Sequence, residues 1–149
     1  MIEIERVAVT EAAFSKVFAL LVALHKEGGY APLDVEKAAK NALDVMAEGM
    51  VFVAEIDGKP VGTIGLTELS FWYSPQTFLQ DAWLFVLPEF RGGQVGVRLM
   101  QAARMEAERR NKVAFVTVNN PDRRPKATKQ SLESQVAGFV PLGYTLKIR

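Results

Sequence analysis

The sequence contains no cysteine and a single histidine, His25. Without cysteine, the chain has no disulfide framework, no thiolate zinc site and no cysteine nucleophile. One histidine excludes a histidine-rich metal centre, so we expect no metal cofactor. The formal net charge is only +1, so the chain lacks the strong field of one sign that favours nucleic acids or anionic membranes. We therefore expect neither as a partner.

Long apolar runs are also missing. Every apolar run is too short to span a bilayer. Residues Met1–Arg6 are acidic and alternate like a strand, which is not the pattern of a signal peptide. A cytoplasmic protein is the default expectation. The length of 149 residues predicts one domain spanning residues 1–149, enough to bury about two-thirds of the unfolded surface.

The first third of the chain predicts a strand followed by two helices. Alternating apolar residues in Ile2–Val7 predict the strand. Thr10 is the expected N-cap of a helix that ends at Gly28. Asp34 is the expected cap of the second helix, which Gly49 terminates. Apolar residues recur at helical spacing in both segments, so each helix has one face for the core.

Three β-rich segments follow and predict an antiparallel meander. The dipeptide Asp57-Gly58 between the first two is a strong hairpin signal. Pro88 stops the hydrogen-bond ladder of the third. The predicted strands are Val51–Ile56, Val61–Leu69 and Asp81–Leu87, with a loop at Phe71–Phe78 before the last one.

The rest of the chain predicts a helix from about Gln94, a strand at Val113–Val118, another helix and a strand at Gly143–Ile148. The nearly unbroken apolar run at Val113–Val118 predicts a central strand covered on both faces. The unit from Asp81 to Val118 predicts a right-handed parallel crossover. The predicted fold class is therefore α/β: a mixed sheet with an antiparallel meander, a parallel β-α-β crossover and helices on both faces.

The segment after Val86 carries the clearest chemical pattern. A strand ends there, and Arg91-Gly-Gly-Gln-Val-Gly96 leads into an amphipathic helix. Helix N-termini leave about four N–H groups unpaired and favour anions, and glycines let the backbone approach a phosphate closely. This loop is a candidate pyrophosphate site, beside which Arg91 adds positive charge. A plain strand-to-helix turn, with glycines only for tightness, is the alternative interpretation.

Two other phosphate motifs are excluded by the same residues. A Rossmann fingerprint needs glycine where Arg91 stands and should follow the first strand of the chain. A P-loop ends in Gly-Lys-Ser/Thr, whereas this chain has Gly96-Val97-Arg98.

The stretch Leu84–Leu99 resembles the acetyl-CoA motif of the GNAT superfamily of N-acetyltransferases, Arg/Gln-x-x-Gly-x-Gly/Ala after a strand that ends in Val-x-Pro. Arg91 and Gly96 match its first and last positions, whereas Gln94 stands where glycine is usual. That departure is tolerable if Gln94 keeps a right-handed conformation and offers its N–H. The order of elements and the ending Phe139–Tyr144 are also similar to the family.

The resemblance implies acetyl-CoA as co-substrate. The pantetheine arm should lie along the strand that contains Leu84 and Val86, and the thioester in a splay between that strand and Val113–Val118. The pyrophosphate should lie on the N–H groups of the loop, and Asn119 matches a frequent cofactor contact, although it also fits a strand-end turn. The implied cofactor-binding residues are Leu84, Val86, Arg91, Gly92, Gly93, Gln94, Val95, Gly96, Val97 and Asn119.

Aminolysis of a thioester needs a neutral amine, a stabilised oxyanion and a leaving thiolate. A backbone N–H near Val86 fits the oxyanion role, and a carboxylate takes the ammonium proton, directly or through water. Asp81, at the expected start of its strand, is the first candidate and Glu68 the second, although both fit solvated strand-end carboxylates. The family often protonates the thiolate from a tyrosine where this chain has Phe139. Tyr73, near the expected acceptor entrance, is a third catalytic candidate.

The implied function is transfer of an acetyl group from acetyl-CoA to a primary amine of a small-molecule or peptide acceptor. The resemblance places His25–Pro32 and Phe71–Phe78 beside that acceptor. Two alternatives stay open: an acyl-CoA-binding regulatory module without catalysis, suggested by Phe139, and a structural domain that uses the glycine turn for packing. An aromatic group fits a cation-holding pocket, a core or a homodimer contact. It comprises Phe71, Trp72, Tyr73, Phe78 and Trp83.

Overall fold

The computed structural model describes residues 1–118, and the elements named below lie in one compact unit, Met1–Thr117. The predictions for residues 119–149, which include Asn119, a helix and a final strand, lie outside the described residues. The prediction of a single domain over the whole chain therefore stays a prediction. The elements are β1 Ile2–Arg6, α1 Glu11–Gly28, α2 Val35–Glu48, β2 Met50–Ile56, β3 Lys59–Ser70, β4 Thr77–Val86, a 3₁₀ turn at Pro88–Phe90, α3 Val95–Arg109 and β5 Ala114–Phe115.

Both predicted helix caps are confirmed. The Thr10 hydroxyl accepts a hydrogen bond from Ala13 N–H at 3.1 Å. The Asp34 carboxylate accepts one from Lys37 N–H at 3.0 Å. Each bond satisfies an N–H group that the first helical turn leaves without a partner. Gly49 is the C-cap of α2, as predicted.

The strands form one mixed sheet in the order β1-β2-β3-β4-β5. The first four are antiparallel neighbours, and β5 pairs with β4 in parallel. Asp57 and Gly58 join β2 to β3 with φ angles of 51° and 77°, the two positive values that a type I′ hairpin turn needs. The predicted meander and parallel crossover are confirmed.

Helices cover both faces of the sheet, as predicted. Successive residues of β2 point to opposite faces, so Phe52 packs in a core with Leu99 and Ala103 of α3. Val51 and Val53 pack in a second core with residues of α1 and α2. Each helix layer is therefore attached to the sheet by its own apolar contacts.

Two glycines of β3 allow close packing that the sequence patterns did not indicate. A Cβ at Gly62 would lie 3.0 Å from Val95 Cγ1 and 3.1 Å from Leu99 Cδ1, so this glycine seats the first turns of α3 on the sheet. A Cβ at Gly65 would lie 2.6 Å from the Trp83 ring. The indole N–H of Trp83 donates to the Thr63 hydroxyl at 3.2 Å, which fixes the ring over Gly65.

Two predicted strand boundaries are wrong. β4 begins at Thr77 instead of Asp81, because Phe71 N–H donates to Gln76 O at 3.1 Å and closes a short turn from which the ladder starts at once. The predicted loop therefore ends before Phe78. β5 contains two residues instead of the six predicted at Val113–Val118. Its central position in the sheet stays a prediction, because the segments expected beside it lie outside residues 1–118.

We predict that Gly65→Ala lowers the free energy of unfolding by about 1–3 kcal/mol, because the new methyl group must displace the hydrogen-bonded Trp83 ring. Urea titration followed by circular dichroism measures the change. Gly28→Ala is the matched control, because a Cβ there meets nothing within 4 Å and lies in the last turn of α1. Equal stability of the two variants would contradict the proposed packing.

Candidate active site

Within residues 1–118, the parallel ladder between β4 and β5 ends after two pairs of residues. Leu79 pairs with Ala114 and Gln80 with Phe115. At the next residue a side chain replaces the backbone ladder, because the Asp81 carboxylate accepts a hydrogen bond from Thr117 N–H at 3.1 Å. Within residues 1–118, the stretch of β4 beyond Gln80 has a strand partner only on its β3 side. We call this point, where the ladder between β4 and β5 ends, the splay. That the thioester lies there, as the resemblance implies, stays a prediction.

A β-bulge lies beside this point. The register between β3 and β4 passes from Leu66↔Asp81 directly to Gly65↔Trp83, which leaves Ala82 as an extra residue on β4. Because paired residues point to the same face of an antiparallel sheet, Asp81 lies on the face that α3 covers. Trp83 lies on the face that α1 and α2 cover. The bulge thus turns two side chains, which strict alternation would put together, to opposite faces.

Burial raises the pKa of the Asp81 carboxyl above its ordinary value, and the hydrogen bond from Thr117 N–H offsets part of that effect. Asp81 lies in the middle of β4 instead of at its start. Asp81 was chosen because it was expected at the start of its strand, and that expectation is wrong. The structure nevertheless places Asp81 at the splay. Thr117, which positions the carboxylate through a backbone N–H, carries no side-chain signal that could have identified it.

The other two catalytic candidates, Glu68 and Tyr73, form contacts with residues other than Asp81. Glu68 is opposite Leu79 and forms ion pairs with Lys112 at 3.5 Å and Arg110 at 3.9 Å. Tyr73 is 67% exposed and stacks on Phe71 with ring centroids 5.3 Å apart. Because Asp81 pairs with Leu66 and Leu79 pairs with Glu68, Glu68 lies diagonally opposite Asp81 on the same face of the sheet. Within residues 1–118, no described hydrogen bond or ion pair joins Glu68 or Tyr73 to Asp81.

The start of α3 has the properties of an anion site. Gln94 occupies the N-cap with φ −98° and ψ −4°, makes no side-chain cap, and no acidic residue follows in the first turn. This right-handed conformation meets the condition under which glutamine can replace the usual glycine. Arg98 N–H donates to Gln94 O, so the N–H groups of residues 94–97 precede the first helical hydrogen bond.

The glycines before and in α3 leave room beside these N–H groups. Gly92 has φ 83°, a conformation that favours glycine. A Cβ at Gly93 would meet only Phe90 O, at 3.9 Å, and one at Gly96 would meet Val86 Cγ2 at 3.8 Å. Gly93 therefore faces open space, which suits the close approach of a phosphate group.

Leu84 and Val86 connect the splay to this loop. Both side chains pack against the core beneath α3, and both residues pair with β3, at Ile64 and Gly62. Their other backbone edge continues from the splay to the loop. The structure thus arranges the predicted pantetheine strand and the predicted pyrophosphate loop in one line.

The Arg91 side chain points toward α1. Its Nε–H donates to Val86 O at 3.0 Å, and Nη2 donates to the Glu27 carboxylate at 2.6 Å. The guanidinium lies 5.6 Å from the centroid of the Phe85 ring. The expected positive charge is therefore present but paired with an acid. The sequence did not indicate Glu27, because 64 residues separate it from Arg91.

The described residues also bear on two other classes of site. None of the helices in residues 1–118 combines the length and the apolar character needed to cross a membrane. In the same part of the chain, no three side chains of the His, Asp or Glu types are grouped so that they could hold a metal ion.

Two solved structures share this architecture. One is an aminoglycoside acetyltransferase from an uncultured soil metagenomic sample, in complex with sisomicin. It is 21% identical, covers 98% of this chain and 97% of its own, and has a TM-score of 0.67. The other is AAC(6')-Iy in complex with the bisubstrate analogue CoA-S-monomethyl-acetylneamine. It is 14% identical, covers 100% and 97% of the two chains, and has a TM-score of 0.72. These similarities establish the fold.

Sequence comparison gives the family. An uncharacterized N-acetyltransferase from Archaeoglobus fulgidus is 40% identical over 80 residues, which are 51% of this chain and 53% of that relative. The match thus spans about half of the relative's length. The sequence model of the acetyltransferase (GNAT) domain matches residues 47–131, more than half of the chain. That range includes β4, the glycine loop and α3, and the chain belongs to the GNAT acetyltransferase family.

Proposed function

We propose that this protein is an acetyl-CoA-dependent N-acetyltransferase in which a primary amine attacks the thioester directly. The observation that carries the proposal is the course of β4. One strand contains the carboxylate at the splay, Asp81, continues as an edge past Leu84 and Val86, and ends in the loop before α3. The group to be transferred and its carrier can therefore be bound along a single element.

The start of α3 supports the binding half of the proposal. The N–H groups of residues 92–97 would hold the pyrophosphate, with the positive end of the helix dipole behind them. Gln94 does not fill that end with its own side chain, and Gly93 leaves space in front of it. The thioester end would then lie toward Asp81, at the other end of the β4 edge that has no strand partner within residues 1–118.

The chemistry requires a proton acceptor beside the amine. The neutral amine nitrogen forms a bond to the acetyl carbon, the carbon–sulfur bond breaks, and the thiolate of CoA leaves. The proton that the nitrogen then loses goes to Asp81, directly or through water, and passes through water to the thiolate, so that the amide and the free thiol of CoA are formed and Asp81 is again a carboxylate. A raised pKa makes this carboxylate a better base than an ordinary aspartate. A backbone N–H near Val86 is the proposed donor to the developing oxyanion.

The acceptor class is proposed as a small-molecule or peptide amine. The AAC(6')-Iy structure contains an analogue that joins CoA to an amine-bearing molecule, and the metagenomic enzyme contains sisomicin. The bisubstrate analogue supports a site in which a small acceptor and the thioester lie together, and the sisomicin complex supports a small-molecule acceptor. Direct transfer gains much of its rate from such a juxtaposition.

We predict that Gly93→Glu weakens acetyl-CoA binding at least about tenfold, since it places a carboxylate where the pyrophosphate would lie. Isothermal titration calorimetry measures the dissociation constant. Gly93→Gln has the same bulk without the charge and should weaken binding less, while Gly93→Ala should remain close to wild type. Wild-type affinity in the Glu variant would rule out this position for the pyrophosphate.

We predict that Asp81→Asn lowers kcat about 10²- to 10⁴-fold, because the amide cannot accept the ammonium proton. Acetyl-CoA affinity should stay within about twofold, because the loop before α3 is unchanged. Thiol release from acetyl-CoA is measured with aminoglycosides, polyamines and short peptides as acceptors. Glu68→Gln is the matched carboxyl-to-amide control. Loss of turnover in that control alone would transfer the role of base to Glu68, and absence of wild-type turnover with every amine would contradict the proposed function.

The raised pKa of Asp81 also predicts how stability depends on pH. Between the unfolded and the folded pKa, the folded protein holds a proton that the unfolded chain releases. Stability therefore falls as pH rises through the folded pKa. Asp81→Asn lacks this titration, so its Tm relative to wild type should increase from about pH 4 to about pH 8. Differential scanning fluorimetry at both pH values measures the difference, and a constant or shrinking difference would contradict the assignment.

A further inference from the structure

The Glu27–Arg91 ion pair joins the last turn of α1 to the loop before α3. The Nη2···Oε2 distance is 2.6 Å, and the two side chains are only 29% and 18% exposed, respectively. Such a shielded, charge-assisted hydrogen bond is stronger and less screened by salt than a fully exposed pair. The pair lies on the α1 side of β4, where the guanidinium also contacts the Phe85 ring.

The position of Arg91 in the backbone makes this pair relevant to the loop. Arg91 N–H donates to Pro88 O at 3.3 Å, which ends the 3₁₀ turn. Its Nε–H returns to Val86 O, the last residue of β4. Gly92, the next residue, reverses the chain with a positive φ. The Arg91 side chain thus closes a ring of backbone and side chain immediately before the N–H groups at the start of α3.

We propose that Glu27 is a positioning residue for acetyl-CoA binding. Its carboxylate holds the Arg91 guanidinium on Val86 O, and this fixes the direction in which the following N–H groups point. The inference rests on the proposed function, in which those groups bind the pyrophosphate. In this role Glu27 acts through Arg91 and needs no contact of its own with the cofactor or the reacting atoms.

Charge and position predict opposite effects at Glu27. Removal of a negative charge near an anion site would by itself tighten the binding of acetyl-CoA. Loss of a fixed loop would weaken it, because the loop must then be ordered when the ligand binds. The direction of the change therefore separates a positioning carboxylate from a bystander charge.

The same pair connects the loop to the turn between α1 and α2. That turn is closed by a hydrogen bond between His25 Nε2 and Ala31 O at 2.6 Å. His25 lies two residues before Glu27 in the chain.

The test measures acetyl-CoA binding by calorimetry for the whole chain with Glu27→Asp, Glu27→Gln, Arg91→Gln and the double variant Glu27→Gln/Arg91→Gln. Aspartate keeps the charge but is too short to reach Arg91. Both Glu27 variants should weaken acetyl-CoA about threefold to tenfold, the range for losing a partly exposed charge-assisted bond. The double variant should be no weaker than Arg91→Gln alone. In turnover assays, KM for acetyl-CoA should rise while kcat stays within about twofold.

Glu89→Gln is the control for charge, because Glu89 is an exposed acid in the 3₁₀ turn of the same segment. It should leave acetyl-CoA affinity unchanged or slightly higher. Unchanged or tighter binding in Glu27→Gln, or wild-type affinity in Glu27→Asp, would overturn the inference while the proposed function stands. Failure of the wild-type protein to bind acetyl-CoA would overturn both.

Discussion

One extra residue on β4 determines the geometry of the candidate site. Because Ala82 adds a residue that β3 does not match, the strand changes its alternation at this point and bends. Asp81 then points to the α3 face at the place where β5 leaves the ladder, and Leu84 and Val86 point to that same face farther along. In a regular β4, Leu84 and Val86 would lie on the face of the sheet opposite Asp81. The placement of Leu84 and Val86 on the same face as Asp81 therefore depends on this irregularity.

Two features of the candidate site lower the stability of the folded protein. A half-buried carboxylate with a raised pKa and an α3 start without a side-chain cap are both unfavourable for folding in isolation. The Thr117 N–H that bonds Asp81 and the well-filled core beneath α3 compensate locally. Groups that are strained or incompletely satisfied in this way are common where a protein binds and reacts.

Local sequence signals predicted the framework well. Thr10, Asp34 and Asp57-Gly58 act on the backbone within four residues of themselves, so the helix starts and the hairpin were found correctly. The glycine loop was identified for the same reason, because its requirements are those of one short segment. The predicted start of β4 was wrong, since Pro75 suggested a longer loop than the tight turn between Phe71 and Gln76 that the chain forms.

The rest depends on contacts that no local pattern contains. The bulge at Ala82 is a property of the register between two strands, and alanine gives no sign of it. Glu27 meets Arg91 across 64 residues, and Gly62 is small because a helix from a later part of the chain lies on it. Sequence reasoning therefore proposed Asp81 and the residues of the loop as site residues, but it did not indicate the interactions that set their directions.

Trp83 gives the molecule an optical property. The chain has two tryptophans, and Trp72 is 95% exposed, whereas the Trp83 ring lies against Gly65 with its N–H bonded to Thr63. Indole emission depends on the polarity and rigidity of its surroundings, so we expect the two residues to emit at different wavelengths. Trp83 adjoins the bulge in the strand that borders the splay. Its emission should therefore report changes in β4 next to the splay, without an attached dye.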